Sequence, residues 1–259
     1  HHTIMNTPSH PEWSAERMAL LCRIHELEEE NARLRELLGI DIREERPKEQ
    51  PLQLSLQEKV ELFRSLFKGR EDVFARRWVS KANEKAGYQP VCTREWNPQF
   101  CNKKKFKCSE CPNRELASLT YDDIYNHLAG RDADGRDVIG VYAILEDNRC
   151  NFLCIDFDDK QCVHGYKNDV LSFTEVCKRW DIPYCIEKSR SGNGAHVWIF
   201  FETPILAAKA RKLGFTILTE AINNNGRVSF DSYDRIIPNQ DTLPEGGFGN
   251  LIALPLQGQ

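Results

Sequence analysis

The stretch Cys150-Asn151-Phe152-Leu153-Cys154-Ile155-Asp156-Phe157-Asp158-Asp159 decides how the second half of the chain is read. Asn151 to Phe157 is a short apolar run bounded by polar residues, which reads as a strand rather than a helix. Side chains at i and i+2 share a strand face, so Asp156 and Asp158 project together. Two carboxylates held that close raise one another's pKa unless a cation sits between them. A divalent metal with oxygen ligands is the usual resolution, and Mg²⁺ keeps waters and substrate phosphates around such a pair. A solvated strand end accounts for D-x-D equally well, so the neighbouring elements have to decide.

Those neighbours alternate. Val138 to Leu145 reads as a strand, Asn168 to Trp180 as a helix, and Tyr184 to Glu187 and His196 to Phe201 as strands. Ile205 to Ile222 reads as a second helix, with Val228 to Phe230 and Leu251 to Leu254 as short closing strands. An α/β layer with a mostly antiparallel sheet fits this order. Between two of the strands lies Glu187-Lys188-Ser189-Arg190-Ser191-Gly192-Asn193-Gly194-Ala195-His196. Small residues there let backbone N–H groups approach a phosphate, and Ser191, Arg190 and His196 add donors. A tight hairpin with a capping histidine is the plainer alternative. A third acidic element, Phe230-Asp231-Ser232-Tyr233-Asp234-Arg235, offers Asp234 or Asp231 to close a metal cage opposite the D-x-D pair.

Length and composition bound the rest. The chain has 259 residues, 41% hydrophobic and 29% charged, which excludes a fibre or a membrane protein. No run approaches the roughly 20 apolar residues of a membrane span. The N-terminus lacks the basic-then-apolar order of a signal peptide, and a cytoplasmic location is expected. A net charge of -4 looks unpromising for a nucleic-acid binder. The total hides a basic block, however: from Arg64 to Lys107 twelve Lys/Arg face four acids.

Inside that block lies Cys92-x8-Cys101-x6-Cys108-x2-Cys111, four of the ten cysteines. Four thiolates suit a structural Zn²⁺ with no position left for water, and a reducing compartment disfavours disulfides. Lys103, Lys104, Lys105 and Lys107 sit within the cluster and are expected to contact nucleic-acid phosphates. Cys154 and Cys185 fall in apolar runs and read as buried small hydrophobes.

Residues 1–16 read as a disordered or tag segment. In residues 17–39 the apolar positions fall on a heptad, with Ile24, Asn31 and Leu38 at a and Leu20, Leu27 and Leu34 at d, as in a parallel two-stranded coiled coil. Glu30 would face Arg35, and Arg23 would face Glu28, across a homodimer; a helix packed on its own domain is the alternative. Residues 40–54 read as a linker, 55–136 as a helical and zinc-knuckle unit, and 137–259 as the α/β unit.

Asp156-x-Asp158, Ser191-Gly-Asn-Gly-Ala-His196 and a later single aspartate resemble the three motifs of the archaeo-eukaryotic primase superfamily. Phe67-Lys-Gly-Arg-Glu-Asp-Val-Phe-Ala-Arg-Arg-Trp78 and Tyr233-Asp-Arg-Ile-Ile-Pro-Asn-Gln-Asp241 are similar to the branch found in TOTE conflict systems. The resemblance spans about residues 55 to 257. It implies an α+β fold, an RRM-like palm with an added N-terminal unit, and template-directed nucleotidyl transfer by a primase-polymerase. Asp156, Asp158 and Asp234 would hold two Mg²⁺ or Mn²⁺ ions. Ser189, Arg190, Ser191, Gly192 and His196 would bind the incoming NTP or dNTP opposite a single-stranded template. It also implies a helicase fused to, or working with, the domain. The rival expectation is a non-catalytic module that grips a single strand with its sheet and zinc knuckle.

Overall fold

A computed structural model describes residues 23, 26, 27, 29, 30, 33, 34, 53–80, 83, 85–159, 165–225 and 230–258. Leu54–Gln259 forms one unit. Its helices are α1 (Leu56–Leu66), α2 (Tyr121–Ala129), α3 (Tyr166–Arg179) and α4 (Ala207–Asn225). Its strands are β1 (Phe74–Val79), β2 (Ala86–Pro90), β3 (Ile139–Tyr142), β4 (Arg149–Asp158), β5 (Cys185–Lys188), β6 (Gly194–Leu206), β7 (Tyr233–Ile237) and β8 (Leu251–Ala253).

The strands make two sheets, ordered β2-β1-β3-β8 and β5-β6-β4-β7, with every neighbouring pair antiparallel. The second sheet and its helices run β4-α3-β5-β6-α4-β7, the β-α-β-β-α-β order of ferredoxin-like and RRM-like units. Central strand β4 is apolar because both of its faces are covered. Leu153, Ile155 and Phe157 pack with Phe173 and Val176 of α3 and Ala210 and Ile217 of α4. Phe152 and Cys154 point the other way, into a second core with Trp198 and Ile237, Phe63 of α1, Ile124 of α2, and Phe74, Val141 and Ile252 of the first sheet. Strand alternation then puts Asp156 on the Phe152 and Cys154 face, just past the edge of that core.

The expected division at residue 136 does not separate two units. β1 and β2 precede that point, β3 and β8 follow it, and all four share one sheet. β3 is four residues long and wholly buried, so it needs β1 on one edge and β8 on the other to satisfy its backbone. Two sheets therefore replace the single expected one. The strand expected at Val228 to Phe230 is displaced: Phe230 leads into a turn, and the paired strand is β7; Val228 lies outside the described residues. Cys185 is exposed, not buried, because β5 is an edge strand.

Each of the first two helices begins with a capping box, Ser55 with Glu58 and Thr120 with Asp123. α2 is tied to the chain's end through His127, which is fully buried. Its Nε2–H donates to the Pro255 carbonyl at 2.8 Å and its Nδ1 accepts from Ile139 N–H at 3.4 Å, so the ring is neutral. Burial holds its pKa below 6.5.

Of the expected coiled-coil segment, Arg23, Glu26, Leu27, Glu29, Glu30, Arg33 and Leu34 are described, and all are helical. Arg23 pairs with Glu26 of its own helix at 3.0 Å, and Leu27 and Leu34 are exposed. Leu20, Ile24, Asn31, Leu38, Arg35 and Glu28 lie outside the described residues. Among the described residues no helix is long and apolar enough to cross a membrane.

A histidine buried neutral gives stability that is present above its unfolded pKa and is lost as pH falls below it. Wild-type protein is therefore expected to lose thermal stability between about pH 7 and pH 5. His127→Gln, which keeps a donor but cannot titrate, should lose that part of the slope when Tm is measured against pH.

Candidate active site

Register alone brings four charged side chains into one row across the second sheet. Glu187 of β5 lies opposite His196 of β6, His196 opposite Asp156 of β4, and Asp156 opposite Arg235 of β7. Signs alternate along the row, the favourable arrangement for cross-strand neighbours. His196 Nδ1–H donates to Glu187 Oε2 at 2.9 Å, and Nε2 lies 3.4 Å from Asp156 Oδ1. Arg235 Nε–H donates to Asp156 Oδ2 at 3.1 Å, and Trp198 Nε1–H donates to Glu187 Oε2 at 2.9 Å.

A ring with a carboxylate at each nitrogen needs a proton on both. Burial opposes the His196 charge, but the hydrogen bonds of Asp156 and Glu187 outweigh it and push the pKa up to about 9. The ring is thus an imidazolium at neutral pH. Burial likewise opposes ionisation of Asp156, yet His196 and Arg235 hold its carboxyl below the usual range.

Asp158 follows on the same face, opposite Gly194, with its backbone N–H donating to Ser232 O at 2.6 Å. A side chain at Gly194 would put its Cβ 2.3 Å from Phe157 O, so only glycine lets β6 pair with β4 beside Asp158. Asp234 arrives by a bulge. Arg235 opposes Asp156 and Tyr233 opposes Phe157, leaving Asp234 as the extra residue. An unbroken register would have set Asp234 opposite Phe157, on the helix side. Instead its Oδ2 lies 3.2 Å from Arg235 Nε, so one guanidinium nitrogen sits between Asp234 and Asp156. Asp231 is exposed in the preceding turn.

The Ser189–Gly194 loop closes on itself. Ser189 N–H donates to Gly194 O at 2.9 Å, Gly192 N–H to Ser189 O at 2.9 Å, and Asn193 N–H to Ser191 Oγ at 3.3 Å. Gly192 takes φ +79°, a conformation glycine adopts without steric cost. The Ser189 and Ser191 hydroxyls lie 3.1 Å apart. Arg190 leaves the loop and brings its charge beside Tyr88 of β2. Its Nη2 lies 2.5 Å from where a Cβ on Gly135 would stand. Glu187, Arg235 and Tyr88 are participants that the sequence reading missed. Glu187 alone gave a signal, as a single acid ending an apolar strand.

Cys92, Cys101, Cys108 and Cys111 line one cavity of about 270 Å³, and Cys92 Sγ accepts Glu115 N–H at 3.4 Å. Among the described residues no three His, Cys, Asp or Glu side chains form a preassembled metal-ligand group. Lys104, Lys105 and Lys107 are exposed, while Lys103 pairs with Glu95 at 2.6 Å. Other members of the basic block are engaged too. Arg70 is buried against Asp72 and Glu146, Arg76 pairs with Asp123, and Arg94 with Glu115.

Residues 58–259 match the family model for the archaeo-eukaryotic primase domain of TOTE conflict systems. The chain belongs to that family. No curated protein matches the chain significantly. The chain is similar in structure to the polymerase domain of Mycobacterium tuberculosis ligase D, solved in complex with DNA, with a TM-score of 0.42 and 9% identity. The match covers 68% of this chain and 64% of that domain.

In this primase domain a raised histidine pKa gives stability that is full below the unfolded value of 6.5 and is lost as pH rises through about 9. In chelator-treated protein, wild type should therefore lose thermal stability across that window. His196→Gln should start less stable and stay flat over the same range of Tm measurements.

Proposed function

We propose that this primase domain performs template-directed nucleotidyl transfer, joining a nucleoside triphosphate to a 3'-hydroxyl with loss of pyrophosphate. The row that joins Asp156 to His196 and Arg235 carries the reading, because it sets a carboxylate edge against fixed cations beside a small-residue loop. Asp156, Asp158 and Asp234 are hard oxygen donors, and the Arg235 guanidinium already stands between two of them as a cation would. Such a donor set fits Mg²⁺ or Mn²⁺. Two bound ions would activate the attacking hydroxyl and neutralise the leaving pyrophosphate.

The chain's own residues bind and orient. Ser189 and Ser191 present hydroxyls to the triphosphate, and the loop backbone can follow them because Gly192 carries no side chain. His196, charged on both nitrogens, offers a fixed positive group that costs no reorganisation when phosphate charge develops. Glu187 keeps that ring in place through Nδ1 and is itself fixed by Trp198. Arg190, reaching toward Tyr88, closes the far side of the loop.

The four cysteines fit a structural Zn²⁺, since soft thiol donors line a single cavity and one already accepts a backbone N–H. Zinc there would brace the turns that carry Lys103 to Lys107.

A single-stranded template, labelled nucleotides and Mn²⁺ or Mg²⁺ should give extended or newly primed product with the wild-type protein. Asp156→Asn and Asp158→Asn should each lower the rate by at least ~10²-fold. Unchanged rates in both would remove the assignment. Metal analysis of protein purified without added metal should find about one zinc per chain, and Cys108→Ser with Cys111→Ser should abolish it.

A further inference from the structure

Trp96 joins two features that seldom occur together. Its backbone lies at φ +63°, which a bulky residue adopts only at a cost, and its ring is 73% exposed, so burial does not offset that cost. A chain of polar contacts holds the ring in place. Lys103 Nζ sits 4.0 Å from the ring centroid, Glu95 Oε1 holds that ammonium at 2.6 Å, and Gln89 Nε2–H of β2 donates to the same oxygen at 2.9 Å. One face of the indole is thus propped on a cation anchored to the sheet.

Trp96 shares a cleft of about 760 Å³ with Trp78, Arg76, Arg77, Arg131 and Arg136. Trp78 is also partly exposed, at 38%, and its ring lies over Gly87, where a Cβ would come within 2.9 Å of it. The cleft adjoins the candidate nucleotide loop. Arg77 donates to the Asp134 carbonyl, and the next residue, Gly135, is the one against which Arg190 packs. The arginines of the cleft are matched by Glu95, Asp123, Asp132 and Asp137 in the same lining, so it offers little net attraction to phosphate.

We propose that this cleft is a subsite for single-stranded nucleic acid, whose unpaired bases stack on Trp96 and Trp78. Stacking on an aromatic ring needs bases free of a duplex and tolerates any sequence. With the cleft's charges balanced, the rings supply affinity here and the exposed lysines at 104, 105 and 107 supply the salt-dependent part. The subsite rests on the nucleotidyl-transfer reading only for the strand's identity as template.

Fluorescence anisotropy of a labelled oligo(dT) of roughly 16 nucleotides tests it, across a range of salt. Trp96→Gly should weaken binding about tenfold, the loss of one base stack, and leave the slope of log affinity against log salt unchanged. Trp96→Phe should keep most of the affinity, and Lys104→Gln should flatten the slope. Because glycine relieves the positive φ, Tm of Trp96→Gly should equal or exceed that of wild type. Unchanged affinity in Trp96→Gly, a lowered Tm, or equal binding of the matching duplex would overturn the subsite. Nucleotide incorporation by a Trp96→Gly protein that binds oligo(dT) like wild type would discard the subsite and keep the transfer reaction. Tryptophan-dependent binding without incorporation by wild type would do the reverse.

Discussion

The position of Asp156 governs much of the rest. A carboxylate whose side chain is only 12% exposed, at the end of a strand covered on both faces, must find compensating charge or stay protonated. It finds two cations, one from each flanking strand, at registered positions. Removing one partner of a buried ion pair typically costs ~3–5 kcal/mol, because the other charge stays behind; that holds for the largely buried His196, while Arg235 is half exposed and water screens its share. The register of β6 and of β7 against β4 is therefore constrained electrostatically as well as by the apolar pattern. A one-residue slip in either strand would send its cation to the helix side.

That constraint explains the irregularities nearby. The bulge at Asp234 lets Tyr233 stay with the helix-side core while a third carboxylate joins the front face, which strict alternation forbids. Gly194 is needed because β6 passes within contact of the β4 backbone beside Asp158. One bulge and one obligate glycine thus sit on either side of the same pair of acids.

The sequence showed the second sheet well, because β4, β6 and the two helices have apolar patterns set by burial. It showed the first sheet poorly. β1 carries Arg76 and Arg77 and β2 carries Gly87 and Pro90, so both merged into what looked like a basic, irregular segment. Their pairing depends on β3 and β8, far along the chain. Among the residues that the structure brings to the candidate site, Asp156, Asp158 and His196 stood out by local spacing, and Asp234 by its resemblance to a motif. Arg235 did not, and Glu187 showed only as an acid ending an apolar strand, since a cross-strand neighbour is invisible until register is known. A count of charges in the basic block also cannot tell that its Arg70 and Arg76 are matched by acids from outside it.

The first sheet takes its last strand from the far end of the chain: Tyr142 of β3 pairs with Leu251 of β8, roughly 110 residues later. During synthesis at 5–20 residues per second, the β3 edge waits roughly 5–20 s for its partner. A buried, apolar strand with an open edge is the kind of surface that pairs with the wrong chain. The architecture therefore makes nascent protein vulnerable in a way the finished fold is not, and it makes the interval between those two strands a period in which a holding chaperone would matter most.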